Sequence, residues 1–546
     1  MRRRQLNHLA VSLVALIVAI SLGAGSQAVF AKPAAQGGNI VADLGFRPET
    51  NGFSFENYGS GFKDLSPAEI RQAFGDQVCG SIQDGNCILT PPAEQWMNQV
   101  NEAMSGGHCF GFAALSSLMY QGKVNASDYG GSSIVDLPIQ GNENLQRALA
   151  YAWTFQKFGT VQAGALGGTP NEILDKLIEA LKPGKDAPET YTIGFFNAEG
   201  NGGHAVTPYA VEDRGNGKMA VLIYDNNFPS VAREILFDTT ANTWEYTAST
   251  NPNEPSSLYQ GNADTKSMFL FPNSPGLQNQ TECPFCENAA AKAGLARLAT
   301  TPQYNEIYLD GDLQKHGHLL ITDEQGHRVG FVDGKFVNEI PDVVVERNMS
   351  SDLWKDSPEP IYKVPVGMKF TLTIDGTGLE KPDLTNVEMI GPGYAIGVLG
   401  ILLEPGQKDT LTLSPNGTKL SYKTDSTETP SLIIGVERSG ADYEFEFKGV
   451  QIESGETVDL ELNNQQNTIT LGSKNSKKPA TYAFVLSRID ESGEQNFEHD
   501  GITLDPGDIV QIQFGNWKGQ GGSLDFSLDK GGTGKDIETV SVTDDK

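Results

Sequence analysis

The chain has 546 residues, with 40 Lys+Arg against 69 Asp+Glu and a formal net charge of −29. So acidic a balance excludes a nucleic-acid binder and a protein held on anionic membranes, because both need clustered lysine and arginine. With 38% hydrophobic residues there is material for packed cores, and the length suits roughly three or four domains.

The chain opens with Arg2, Arg3 and Arg4, then an apolar run from Leu9 to about Ala24, then Val29-Phe30-Ala31. This is the pattern of a secretory signal peptide over residues 1–31, with cleavage expected after Ala31. No cysteine follows the run to take a lipid. No later stretch approaches eighteen apolar residues, so the mature chain is expected to be secreted and not membrane-spanning. Export permits disulfides. Cys79 and Cys87 flank a Gly/Asp/Asn turn, and a bridge there closes a small loop worth about 2.5 kcal/mol in the chain-entropy model. Cys283 and Cys286 form a CxxC in polar, proline-containing sequence. No second CxxC exists to complete a zinc site, so a local structural disulfide is expected. Two pairs leave one thiol, Cys109.

Residues 32–90 read as an irregular lead-in with one short helix, Pro67–Phe74. Helices then follow over Pro91–Met104, from Cys109 to about Tyr120, and over Asn144–Phe158. Thr169-Pro170-Asn171-Glu172 is a capping box with proline at the first helical position. Ile173, Leu174, Leu177, Ile178 and Leu181 give that helix one apolar face, and Pro183-Gly184 ends it. From Tyr191 the period shortens to two. YTIGFF, HAVTPYAVE, MAVLIYD, REILFD, TWEY and SMFLFP read as turn-bounded strands, with a hairpin turn at Arg214-Gly215-Asn216-Gly217. After the CxxC the alternation continues almost without helix, from HLLITD to DIVQIQFG, with no convincing internal repeat. Frequent short strands suggest two or three small β-sandwich or barrel modules.

Cys109 lies in Gly106-Gly107-His108-Cys109-Phe110-Gly111-Phe112-Ala113-Ala114. A glycine turn leading into a helix puts the thiol at the helix N-terminus. There, free N–H groups and the dipole favour a thiolate and can hold an oxyanion. Phe112, Leu115 and Met119 are expected to form the buried stripe. His108 is next in sequence but is a poor base, because neighbouring helix positions do not face each other. His204, after Gly202-Gly203 at the start of a strand, is the better base. The next strand ends in Asp225-Asn226-Asn227. Alternation puts Asp225 and Asn227 on one face and Asn226 on the other, and hairpin pairing would bring Asp225 opposite His204.

The segment GGHCFGFAA resembles the nucleophile segment of papain-like cysteine peptidases, and HAV followed by a strand and Asp/Asn resembles their second half. The likeness spans roughly residues 90–250. The Asp after the strand is similar to the bacterial, bacteriocin-processing type. The resemblance implies Cys109 as nucleophile, His204 as base and acid, and Asp225 as orienting residue, with Asn226 and Asn227 as alternatives. For the glutamine that completes the family's oxyanion hole, Gln99 and Asn101 are the nearest candidates. The chain departs from papains in lacking a cysteine just before the nucleophile and the Asn-Ser-Trp signature.

The expected fold is therefore α+β, a papain-like helix-plus-antiparallel-sheet domain followed by all-β sandwich-like modules. Its parts are a catalytic domain with lead-in over 32–280, a CxxC linker over 281–300, and β modules over 301–378, 379–476 and 477–546. The expected function is a secreted cysteine peptidase-like hydrolase of peptide or isopeptide amides, with a protein or peptide substrate, no cofactor and no metal. Its β modules would touch a cell surface or substrate. The alternatives are a non-catalytic adhesion or binding protein, and a transglutaminase-like acyl transferase, a family that keeps its Cys and His closer together than Cys109 and His204. Two weaker signals remain. His316 and His318 offer two metal ligands on a strand, with no third evident by spacing. Trp517, just past a strand, is a candidate for stacking on sugar.

Overall fold

In this computed structural model the described residues are 38–197, 202–247, 258–287, 303–313, 315–350, 359–517 and 519–545. The signal peptide and its expected cleavage point lie outside them. The alternating segments of residues 191–272 each become a strand. The strand His204–Gly215 is the spine of their sheet. Tyr191–Phe195 pairs with its start and Lys218–Tyr224 runs along its other edge. Ala232–Asp238, Thr243–Thr247 and Leu258–Asn262 extend the sheet on that side. Met268–Pro272 closes back on Tyr191–Phe195, and all these pairings are antiparallel. The turn at Asn216-Gly217 has positive φ at both residues, as a tight hairpin requires.

The lead-in is more ordered than its sequence suggests. Asn39–Asp43 adds a strand to the far end of His204–Gly215. Cys79–Gln83 and Asn86–Leu89 form a hairpin joined by the Cys79–Cys87 disulfide. Cys283 and Cys286 form the second disulfide.

The expected helices form over Pro67–Phe74, Pro91–Ala103, Cys109–Tyr120, Glu143–Trp153 and Pro170–Leu181. The Thr169/Glu172 capping box is made in full. Helix Cys109–Tyr120 is buried on every side up to Met119, rather than along one stripe. Thr207 Oγ1 donates to Ala113 O at 3.1 Å, which ties one face of the helix to the sheet. Phe53, Phe55 and Tyr58 pack edge-on around Phe112 on another face.

From Tyr304 onward the strands build two antiparallel sheets over one shared core. Successive hairpins alternate between the sheets. Asp383–Gly391 and Tyr394–Leu403 lie in the first sheet, Lys408–Leu413 and Lys419–Lys423 in the second, and Ser431–Val436 and Asp442–Lys448 in the first again. The segments expected as separate modules therefore share both sheets. Phe370–Asp375 pairs with Lys408–Leu413, and Asp442–Lys448 pairs with Ala480–Asp490. Even strand spacing announces hairpins but does not say which sheet each one joins.

A structural repeat accompanies the alternation. Three of the returns to the second sheet share one kind of turn, with glycine at positive φ: Gly406, Gly455 and Gly507. The residue after each glycine, Gln407, Glu456 or Asp508, is buried. Gln407 and Glu456 accept the backbone N–H of Glu404 and Glu453, closing the turn. Trp517 is also buried and meets Phe497 edge-on, so its ring is not available to stack on sugar.

The sandwich packs directly on the helical half. Gly393 N donates to Phe285 O at 2.9 Å, and Gln95 Nε2 donates to Glu444 Oε2 at 3.5 Å. Tyr308, Met349, Ile361 and Ile390 of the sandwich region share a core with Met104 and Phe110. No helix among the described residues is long and apolar enough to cross a membrane.

Candidate active site

The site begins at a break between two helices. Pro91–Ala103 tightens into a 3-10 turn at Met104–Gly106. Gly107 then takes φ 139°, a conformation that side chains with a Cβ rarely adopt. This swings the chain so that Cys109 opens the next helix, whose first intrahelical acceptor is His108 O, bonded to Phe112 N at 3.1 Å. The N–H groups ahead of Phe112 have no intrahelical partner and face the thiol's end of the helix. Cys109 is buried, and among the described residues it is the free cysteine.

His204 starts the spine strand and Asp225 follows the strand beside it. His204 Nε2 and Asp225 Oδ1 are 3.0 Å apart, and both side chains are 0% exposed. The imidazole is hydrogen-bonded to Asp225, and the Cys109 sulfur stands close enough to act on the same ring. Tyr246 Oη donates to Asp225 Oδ2, and Asn227 N donates to Oδ1 at 2.9 Å. Burial disfavours the imidazolium. The Asp225 carboxylate, its hydrogen bond and the Cys109 sulfur outweigh burial and push His204 up to about 10. Burial pushes the Asp225 carboxyl up in turn. The His204 charge and the bonds from His204, Tyr246 and Asn227 overcome it and hold Asp225 below the usual carboxylate range.

The other sequence candidates take different places. Asn226 faces the opposite way from Asp225. Its Nδ2 donates to Cys109 O at 3.1 Å and Ala205 O at 2.9 Å, locking helix Cys109–Tyr120 to the strand His204–Gly215. Asn227 reaches the site through its backbone. Both amide atoms of Asn101 are committed to the Leu65 backbone, at 2.9 and 3.2 Å. Gln99 is buried and lines a separate cavity with Asn348, His316 and Glu359. His108 turns away: its ring nitrogens lie 2.8 Å from Tyr58 O and from Asp64 Oδ1.

A strap, residues 347–350 of the sandwich region, runs beside the site, and residues 348–350 touch both the helix side and the sheet side. A Cβ on Gly194 would stand 2.1 Å from Met349 Sδ, one on Gly203 2.5 Å from Asn348 O, and one on Gly106 3.1 Å from Ser350 O. Gly203 immediately precedes His204, and Gly194 pairs with Ala205. Met349 N donates to Gln156 Oε1 at 2.8 Å, and Gln156 Nε2 donates to Met349 O at 3.3 Å. Ahead of the strap, Glu346 is bridged by Lys157 of the helical half and Lys363 of the sandwich.

Tyr246, Gln156 and Met349 were not singled out by sequence. Tyr246 is one of several inward-facing aromatics, Gln156 ends an ordinary helical pattern, and Met349 meets the site from far along the chain.

Comparison with protein-family models, curated proteins and solved structures returns no match. The functional reading therefore rests on the geometry above.

Proposed function

We propose that the chain is a papain-like thiol hydrolase, acting on peptide or isopeptide amides, whose site is covered in its resting form. The observation that carries this reading is one buried imidazole bonded to the buried Asp225 and set beside the free thiol of Cys109 at a helix start. Burying ionisable groups costs several kcal/mol per charge unless they are paired and hydrogen-bonded. A trio so fully partnered has a purpose beyond filling a core.

In this reading the Cys109 sulfur attacks the amide carbon. The C–S bond forms as the carbonyl π electrons move to oxygen, where helix-start N–H groups stabilise the negative charge. His204 passes its proton to the leaving nitrogen as the C–N bond breaks. It then takes a proton from the water that hydrolyses the thioester. Asp225 stays ionised and binds Nε2, which leaves Nδ1 for the sulfur. The strap supports a peptide substrate, since Gln156 holds both the N–H and the C=O of Met349 as it would hold an extended peptide. The two disulfides fit the expected export.

The rival is a binding protein that kept the fold without turnover, and the complete burial of Cys109, His204 and Asp225 is what favours it. A variant with Gln156→Ala and Met349→Asp separates them. It removes the clamp and places a charge under the strap. Assayed on mixed fluorogenic peptides and an isopeptide, the opened protein is expected to gain turnover that a further Cys109→Ala abolishes. An opened variant that melts cooperatively yet turns over none of them contradicts the enzyme reading.

A further inference from the structure

The histidine pair that the sequence left without a third ligand gains one in the fold. His316 and His318 meet Glu359, which arrives from the strand edge ahead of Ile361–Pro365. His318 Nδ1 lies 2.9 Å from Glu359 Oε2, and His316 Nε2 lies 3.8 Å from the same oxygen. The three ligand atoms all lie within 4.8 Å of one another. Tetrahedral zinc with bonds near 2.0–2.1 Å sets its ligands about 3.4 Å apart, so small side-chain adjustments suffice.

The surroundings orient the set. Glu359 Oε1 accepts Leu319 N at 2.9 Å and Tyr362 Oη at 2.8 Å, which turns Oε2 toward both imidazoles. Bonds of this kind behind a ligand fix its direction and raise its affinity for a cation. The His318 ring is stacked on Phe331 at 4.1 Å. His316 and Glu359 also line a cavity of about 50 Å³ shared with Gln99, Asp310 and Asn348. That is room for a few waters at about 15 Å³ each. Gln99 is 5% exposed, and neither of its amide atoms has a hydrogen-bond partner among the described residues; the same holds for Asn348 Oδ1. Buried amides without partners are costly, and a hydrated cation in this cavity would satisfy them.

We propose that His316, His318 and Glu359 form a site for a divalent transition cation of zinc type, completed by water in the cavity held by Gln99 and Asn348. The site is independent of the thiol chemistry. It sits where the nucleophile domain's helix Pro91–Ala103, the strap and the sandwich meet, so the cation clasps the three together.

The test uses the full chain, stripped with a chelator and titrated with Co²⁺. The expected result is one Co²⁺ per chain with a visible absorption band. His316→Ala and His318→Ala should each weaken uptake about tenfold or more. Cys109→Ala should bind like the parent, which excludes the thiol as ligand. His318 is a third exposed, so its variant is expected to fold even if others do not. No uptake, or uptake that both histidine variants keep, overturns the proposal.

Discussion

The thiol site and one set of acids in the sandwich bury ionisable groups in opposite ways. In the helix-and-sheet half, Cys109, His204 and Asp225 are set against one another, and the favourable charge outweighs burial. In the sandwich, three buried acids have neutral partners, unlike Glu346 and Glu359, which face cations or histidines. Glu388 accepts from Tyr308 Oη and Glu428 from Tyr422 Oη, while Glu444 faces Gln95 across the boundary between the halves. Burial dominates all three and pushes each up to about 7, although hydrogen bonding pulls the other way. The same residue type is thus held charged beside a thiol in one place and pushed toward the neutral form in the other. Burial alone does not mark an active site. A buried pair of opposite charge beside a free thiol makes a candidate.

The contrast breaks most sharply at Asp225. Asp225→Asn keeps the shape and removes the charge, so His204 loses its main support. In the opened protein this is expected to slow turnover about a hundredfold or more, with the pH profile moving as the imidazolium is lost. Tyr246→Phe removes only one of the donors to Asp225, and about tenfold or less is expected. Equal effects would mean that hydrogen bonding, rather than charge, holds the imidazole.

A smaller effect concerns stability against pH. Glu388, Glu428 and Glu444 have folded values raised from the ordinary 4.5 to about 7. Their cost is absent below about pH 4.5 and grows as the pH rises through 7. His204 is raised from 6.5 to about 10, so its contribution is complete below 6.5 and is lost as the pH rises through 10. Both act in one direction, and the melting temperature is expected to fall steadily from mildly acidic to alkaline pH. Glu388→Gln with Glu444→Gln should flatten the part below neutrality and leave the alkaline part. A profile unchanged by these substitutions would remove the sandwich acids from the account.

Local signals in the sequence were read well. The glycine turn before Cys109, the Thr169 capping box, the Asn216-Gly217 hairpin and both disulfides depend on residues close together in the chain. That Asp225 meets His204 is also legible, because one hairpin joins them, although the register pairs Thr207 with Tyr224 and sets the two diagonally. What escaped depends on distant partners. Asn39–Asp43 is a strand only because His204–Gly215 offers it an edge. The glycine turns at Gly406, Gly455 and Gly507 repeat in space, but the strands between them vary too much for the repeat to show. The third ligand beside His316 and His318 lies beyond three intervening strands. The strap is the clearest case, since nothing near Met349 announces that it meets Gln156 and Gly194, placed so far before it.

The central claim is that Cys109 is a nucleophile made reactive by His204 and sheltered by residues 347–350. Iodoacetamide labelling at mildly acidic pH tests it most directly. With the strap in place Cys109 should label slowly. After Gln156→Ala and Met349→Asp it should label faster than a free thiol, and adding His204→Ala should slow it again. A thiol that stays no faster than a free one once opened, or that His204→Ala does not slow, would contradict the account.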